Sequence, residues 1–372
     1  MTGQLGFAEA FLAEKAGQNR RLDRILKVLD WLPFAAILKP LAPSGGRGRP
    51  SYVALMMFKA LLLAQWYQLS DPALEEALAD RISFRRFCGF ALDAVTPDET
   101  TICRFRNALA AAGLGEALMA ELDRQLGAGG FLVKEGTMID ATLIEAQAAR
   151  PRDDRVNEAP PQDEPAEPRV DPDAAFTKKE GKTVYGYKAH VAVDRGSGLI
   201  RRARLTPANV HDTKEADALV MGDERAIYAD MAYATHARRA ALKERGIKDR
   251  IMHRPNRHHP ELPRWQRRRN ALIRAARAAV ERTFGTLKRG YGYRQVRYFS
   301  LLANAIELQL KCFASTCAAL PFSPPSKPEP KVQAAQLPPP DPGNTRPANP
   351  DPFGVSRTDA INLYSAEVSQ RV

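Results

Sequence analysis

The sequence predicts a mixed α/β protein: an all-α region over residues 1–130, followed by a mixed sheet with helices over 131–320. Three observations predict it. Capped apolar stretches of helical length fill the first third. A Gly-Ser-Gly turn at 196–198 then joins two β-type runs. Beyond these, short strand-like runs alternate with helical ones, the pattern of a sheet covered by helices.

In the helical region, residues 51–67 are strongly apolar and follow Pro50. The longest apolar run, 53–64, is broken by Lys59 and is too short to cross a bilayer, so it is expected as a buried helix. Asp71-Pro72 opens the next helix, with proline at a permissive first-turn position. Thr96-Pro97-Asp98-Glu99 has the form of a capping box, in which Thr96 bonds the backbone three residues on and Glu99 reaches back. The helix it opens carries Thr100, Thr101, Arg104, Arg106 and Asn107. A polar, basic helix ending a run of short helices suits a reader of the DNA major groove through Arg104 and Arg106. A plain helical bundle with a charged outer face fits the same residues.

Strands are expected at 138–144, 184–194, 199–205 and 226–229, with a hairpin between the second and third. Helices are expected at about 213–221, 236–245 and 263–288. Of the 28 prolines, six fall in 151–172 and twelve in 321–352, so two segments hold most of them. The first, an acidic Pro-rich insertion at about 151–182, has too few apolar residues to fold alone and is expected to be disordered. The second, 321–372, is expected as a flexible tail.

Composition narrows the class. An apolar fraction of 44% excludes a wholly disordered chain. Four cysteines with no CxxC pair speak against structural zinc or a disulfide framework, and fit a reducing cytoplasm. No basic segment followed by an apolar one opens the chain, so no secretory signal and no membrane partner are expected. The net charge of +12 is unevenly placed. Residues 237–297 contain 19 Lys or Arg against the four acids Glu244, Asp249, Glu261 and Glu281, which outweighs the excess of the whole chain. Aromatic residues, Trp265, Phe284, Tyr291, Tyr293 and Tyr298, are interleaved with these bases. A solvated helix face accounts for an isolated charge run; a block of this density with aromatics points to nucleic acid.

Three carboxylates occupy awkward positions. Asp140 interrupts the strand Thr-Met-Ile-Asp-Ala-Thr-Leu-Ile, where an unpaired charge is costly. Asp230 ends a strand at the carboxyl edge, where α/β proteins place ligands. Glu281 lies on a helix dense in Ala and Arg. At about 100° per residue, Arg274, Arg277 and Lys288 fall close to its face, while Val280, Phe284 and Leu287 form the docking stripe. Each acid also has an ordinary explanation: a solvated strand edge for Asp140, a helix N-cap for Asp230, a surface pair with Arg277 for Glu281.

Taken with their surroundings, these residues resemble bacterial insertion-sequence transposases of the insertion-sequence-five type, within the DDE superfamily. The matching phrases are RGRPSYVALMMFKALLLAQWYQLSD, TPDETTICRFRNAL, GTMIDATLIEA, YGYKAHVAVDRGSGLI, NVHD, YADMAY and RAAVERTFGTLKRGYGYRQVRY, spanning about residues 46–320. The resemblance implies a ribonuclease-H-like fold with Asp140, Asp230 and Glu281 as the catalytic, metal-binding triad. The family pattern Tyr-x2-Arg-x3-Glu-x6-Lys is matched by Arg277, Glu281 and Lys288, while Arg274 stands at the tyrosine position. It further implies two Mg²⁺ ions, with Mn²⁺ as a substitute, and phosphoryl transfer that frees the element's 3′ ends and joins them to target DNA. Arg274, Arg277 and Lys288 would hold phosphate, and the helical N-terminal region would recognise the terminal inverted repeats. His211 and Asp212 would touch DNA or serve structure. The expected partners are element and target DNA and, on DNA, further copies of the chain, in a bacterial cytoplasm near the nucleoid. The alternatives are a ribonuclease-H-like nuclease that does not join strands, or an inactive DNA-binding regulator.

Overall fold

Strand β1 (Thr137–Glu145) runs through the middle of a six-stranded sheet. This computed structural model describes residues 17–41, 51–147, 170–179, 181–255 and 260–320, all within the first of two units of the chain. The Pro-rich tail and most of the insertion lie outside them.

On one side of β1, strand β3 (Lys182–Asp194) pairs with it antiparallel along its length, with Asp140 opposite Val191. The far edge of β3 pairs first with β2 (Ala175–Lys179) and then with β4 (Ile200–Pro207), both antiparallel. On the other side, β5 (Ala226–Ala229) lies parallel to β1, and β6 (Lys248–Ile251) parallel to β5. The β3–β4 turn closes on Asp194, whose Oδ2 accepts from the Ser197 N–H and hydroxyl, both at 2.8 Å. Gly198 supplies the positive φ, +71°, which a side chain would strain.

Strand β2 corrects one expectation. The insertion does not remain irregular to Lys182, because Ala175–Lys179 pairs with the start of β3 and buries Asp171 beside it. Tyr187 donates to the Asp171 carboxylate at 2.7 Å, a long-range bond that no local composition announces.

The helices, in chain order, are α1 (Arg20–Val28), α2 (Leu32–Ile37), α3 (Ala54–Tyr67), α4 (Asp71–Asp80), α5 (Ile82–Cys88), α6 (Glu99–Ala111), α7 (Gly115–Ala128), α8 (Asp212–Glu215), α9 (His236–Glu244), α10 (Arg264–Gly290) and α11 (Leu301–Ala319). Helix α6 starts later than the Thr96 capping box implied. Asp98 is the N-cap, accepting from Thr101 N–H at 2.7 Å, and the Glu99 N–H donates to Glu75 on α4. The helix expected at 213–221 is shorter too, splitting into α8 and a 3-10 turn, Asp217–Leu219.

Alternation along the strands divides the core in two. Ile139, Ala192, Ile227 and Ala229 face a smaller cluster with Leu219, Leu242 and Tyr233. Met138, Tyr187, Val191, Ala203 and Tyr228 face the larger cluster, which continues without a break into α1–α7, α10 and α11. Helix α11 is the hinge of this continuity, packing on β4 with one side and on α3, α6 and α7 with others. It is buried on nearly every side, and Trp66 of α3 donates to its Ala314 carbonyl at 2.7 Å. Arg201 of β4, fully buried, adds a bidentate pair to Asp123 of α7 at 2.7 and 2.9 Å. The expected boundary near residue 130 is therefore a change of secondary structure and not a gap in the core.

Candidate active site

The C-terminal ends of β1 and β5 set the site. Their parallel register pairs Met138 with Tyr228; Asp140 lies two residues further along β1, Asp230 directly follows the end of β5, and the Asp230 charge acts on Asp140. Helix α10 packs on both strands. Its docking stripe of Ile273, Val280, Phe284 and Leu287 is buried, and Arg277 lies beside the stripe.

Asp140 is largely buried and charged groups surround it. Its Oδ2 pairs with Arg277 Nη2 at 2.8 Å, and its Oδ1 accepts from the Ala141 N–H at 2.9 Å. Burial raises its pKa above the usual carboxylate value, Arg277 and the Ala141 N–H oppose the rise, and Asp230 and Asp212 reinforce it. Asp230 caps the 3-10 turn Met231–Tyr233, accepting from Ala232 N–H at 3.3 Å. The N-cap role suggested by sequence is thus real, but it engages one oxygen only.

Two further residues belong to this cluster. Asp212 pairs with Lys188 at 2.8 Å, and its charge reaches Asp140. Tyr233, in the phrase YADMAY, is 1% exposed, and its hydroxyl has no hydrogen-bond partner among the described residues. Burial raises its pKa, and Asp212, Asp140 and Asp230 raise it further against the opposing charge of Arg277. Sequence reasoning passed over Tyr233 because a tyrosine three residues after an acid looks like core. His211 is a structural cap: its Nδ1 accepts from Thr213 N–H at 3.2 Å, and the Thr213 hydroxyl donates to Ala232 O, tying α8 to the turn after Asp230.

The remaining expected site residues divide. Glu281 is exposed, one turn beyond Arg277, with no hydrogen bond or ion pair among the described residues. No group of three His, Cys, Asp or Glu side chains able to hold a metal ion is gathered among those residues. Lys288 is half-buried and donates to the Leu143 carbonyl of β1 at 3.0 Å, and burial lowers its pKa. Arg274 and Arg104 are exposed. Arg106 is not available to DNA: it is 5% exposed, paired with both oxygens of Asp71 at 2.6 and 2.7 Å and placed over Tyr298. Asp71 is remote in sequence, so nothing local separates this buried arginine from its exposed neighbour Arg104.

Family models match both parts of the chain. Residues 10–108 match a transposase domain (DUF772), and residues 132–317, from just before β1 to the end of α11, match the transposase DDE domain. The chain belongs to the transposase DDE domain family. Two solved structures are loosely similar to this DDE-domain protein. One is the piggyBac transposase synaptic complex with hairpin DNA, 9% identical, covering 83% of this chain and 73% of that one at a TM-score of 0.38. The other is the Mos1 strand transfer complex, 12% identical, covering 74% and 81% at a TM-score of 0.18. The mixed sheet carries helices on both faces, with Asp140, Asp230 and α10 on the side of the larger cluster or at its edge. Among the described residues no helix is long and apolar enough to cross a membrane.

Proposed function

We propose that this protein is a DNA transposase of the insertion-sequence-five type, with a ribonuclease-H-like core. It cleaves the ends of its element and joins the freed 3′ hydroxyls to target DNA. The observation that carries the reading is the approach of two carboxylates, Asp140 on β1 and Asp230 just past the end of neighbouring β5, close enough for one charge to act on the other, with Arg277 held against Asp140.

The donor chemistry fits a hard divalent cation. Asp140 and Asp230 offer oxygen ligands only, which suits Mg²⁺, or Mn²⁺ in its place, and a bound cation would oppose the burial that raises the Asp140 pKa. Asp140 and Asp230 would hold the metal, with Glu281 completing the set from the turn of α10 after Arg277. Bound there, a pair of Mg²⁺ ions would activate the attacking hydroxyl and stabilise the leaving oxygen. Arg277 pairs with Asp140, and its guanidinium would be free to meet a DNA phosphate where a cation takes over that charge. Lys288 fixes the β1 backbone beside the site, and Arg274 offers an exposed contact to phosphate.

The basic block of α9, β6 and α10 serves as the sequence-independent DNA surface. The helical region before residue 130 reads the terminal repeats, through Arg104 and not Arg106, and assembly on DNA is as a homo-oligomer. Its place is the bacterial cytoplasm, at the nucleoid. The test is cleavage of a labelled element end in Mg²⁺ by Asp140→Asn and Asp230→Asn, each expected to lose about a thousandfold in rate while still binding DNA. Glu281 standing apart from the two aspartates favours one second reading, an inactive DNA-binding regulator. That reading predicts no cleavage by the unaltered protein.

A further inference from the structure

Helix α10 has a second face that the docking of the helix does not use. Trp265, Arg268, Arg269, Leu272 and Ala276 recur at helical spacing and line a cavity of about 480 Å³. Tyr228 of β5 and Ile273 lie at its base, and Arg195, after β3, and Arg250 of β6 form the opposite side. Its two largest apolar side chains, Trp265 at 60% and Leu272 at 68%, are exposed. Neither is among the buried residues that seat α10, which are Asn270, Ile273, Val280, Phe284 and Leu287. The Trp265 ring is nonetheless oriented, standing edge-on to His253 with centroids 5.3 Å apart.

The charge around this platform is of one sign. Four arginines line the cavity and no carboxylate does. Two of the four are committed to the fold. Arg195 donates to the Tyr228 hydroxyl at 2.7 Å, and Arg269 donates to the Asp249 and Ile251 carbonyls, both at 2.7 Å. Arg250 and Arg268 have no ion-pair partner among the described residues. A flat aromatic surface flanked by unpaired guanidinium groups recognises a base through its face and the adjoining phosphates through their charge. In a duplex the base faces are covered by their neighbours in the stack, so the chemistry fits an unpaired strand. The cavity also borders the carboxylates. Tyr228 of its lining precedes Asp230 by two residues, and Ala276 of its lining adjoins Arg277, the ion-pair partner of Asp140.

We propose that this cavity binds a single-stranded stretch of the DNA substrate next to the cleavage site, with one base stacked on Trp265 and its phosphates held by Arg250 and Arg268. The inference rests on the transposase reading, but makes a claim of its own about strandedness.

The test uses the full chain with fluorescein-labelled oligothymidylate and a blunt duplex of equal length, with anisotropy titrations at several salt concentrations. Trp265→Ala is expected to weaken single-strand binding about tenfold and leave duplex affinity within about twofold. Trp265→Phe, which keeps an aromatic face, should recover most of the loss and so control for folding. Arg250→Ala and Arg268→Ala should each reduce the salt dependence of single-strand binding by about one counterion. Equal losses on both DNAs, no loss on either, or no binding of the single strand by the unaltered protein would overturn the inference. Each of these results leaves the transposase reading standing as long as Asp140→Asn abolishes cleavage.

Discussion

Arg277 on α10 and Asp140 on β1 are joined by an ion pair of 2.8 Å, both side chains mostly out of solvent. The pair locks the long helix to the central strand at the point where the proposed chemistry occurs. Removing one partner of such a pair leaves the other charge buried and uncompensated. Arg277→Ala should therefore lose about 2 kcal/mol of stability in the absence of metal. Mg²⁺ should then raise the melting temperature of the variant more than that of the parent, since the cation supplies the charge that Arg277 provided. Thermal melts with and without Mg²⁺ check this, and an equal shift in both proteins contradicts it.

Arg104 and Arg106 lie two residues apart on α6 and should behave in opposite ways. Arg106→Ala breaks a buried bidentate pair with Asp71 and is expected to cost about 3 kcal/mol, with the DNA affinity of the folded fraction unchanged. Arg104→Ala should stay within about 0.5 kcal/mol in stability and reduce the salt dependence of DNA binding by about one counterion. Urea denaturation together with a salt series of binding titrations separates them.

His190 gives the fold an acid-sensitive point. It is fully buried, its Nε2 lies 2.9 Å from the Thr206 hydroxyl, and burial depresses its pKa to about 4. The unfolded chain takes up the proton near the ordinary value of 6.5 while the native state resists it. Stability is thus complete above pH 6.5, falls as pH drops from 6.5 towards 4, and loses no more from this group below that. The full loss is about 3 kcal/mol. Urea midpoints measured across this range should decline less steeply in His190→Gln than in the parent, and identical slopes would exclude His190 as the cause.

Arg201 joins the sheet to the helical region. Its guanidinium pairs with Asp123 of α7, with Asp223 at 2.8 Å and with Glu224 at 3.6 Å. Arg201→Met removes the cation and leaves these acids facing one another, at an expected cost of about 3–5 kcal/mol. If the helical region and the sheet share one core, loss of the helical and of the β-sheet bands of the amide I infrared spectrum should coincide on heating. Two separated transitions would mean two independent domains.

Much of the sheet was legible because its signals are local. The run Ala226–Ala229 is a strand with the bounds expected, and Gly196-Ser197-Gly198 lies in the β3–β4 turn. Strands β2 and β6 were not legible. Thr177-Lys178-Lys179 and Lys248-Asp249-Arg250 are mostly polar and become strands only because β3 and β5 offer an edge. Helix α11 escaped for the opposite reason: buried on nearly every side, it has no polar face to give a period. At the site, Asp140 could be singled out as a charge inside a strand, and Asp230 as a carboxylate at the carboxyl edge of one. The Arg277 pair, the buried Tyr233 hydroxyl and the Asp71–Arg106 bond depend on which elements meet, and no spacing within one element reports that.

Glu281 is the most direct test of metal-dependent DNA cleavage by Asp140, Asp230 and Glu281 together, because it is exposed and, among the described residues, not gathered with the two aspartates into a metal-holding group. The measurement is the cleavage rate of a labelled element end in Mg²⁺ by Glu281→Gln, with circular dichroism and gel shift confirming fold and DNA binding. A catalytic third carboxylate predicts a loss of about a thousandfold, corresponding to about 4 kcal/mol of transition-state stabilisation. A surface glutamate with no catalytic part would contribute at most about 1 kcal/mol through a solvent-exposed pair. Cleavage by Glu281→Gln within a few-fold of the parent rate would contradict the assignment of the third carboxylate.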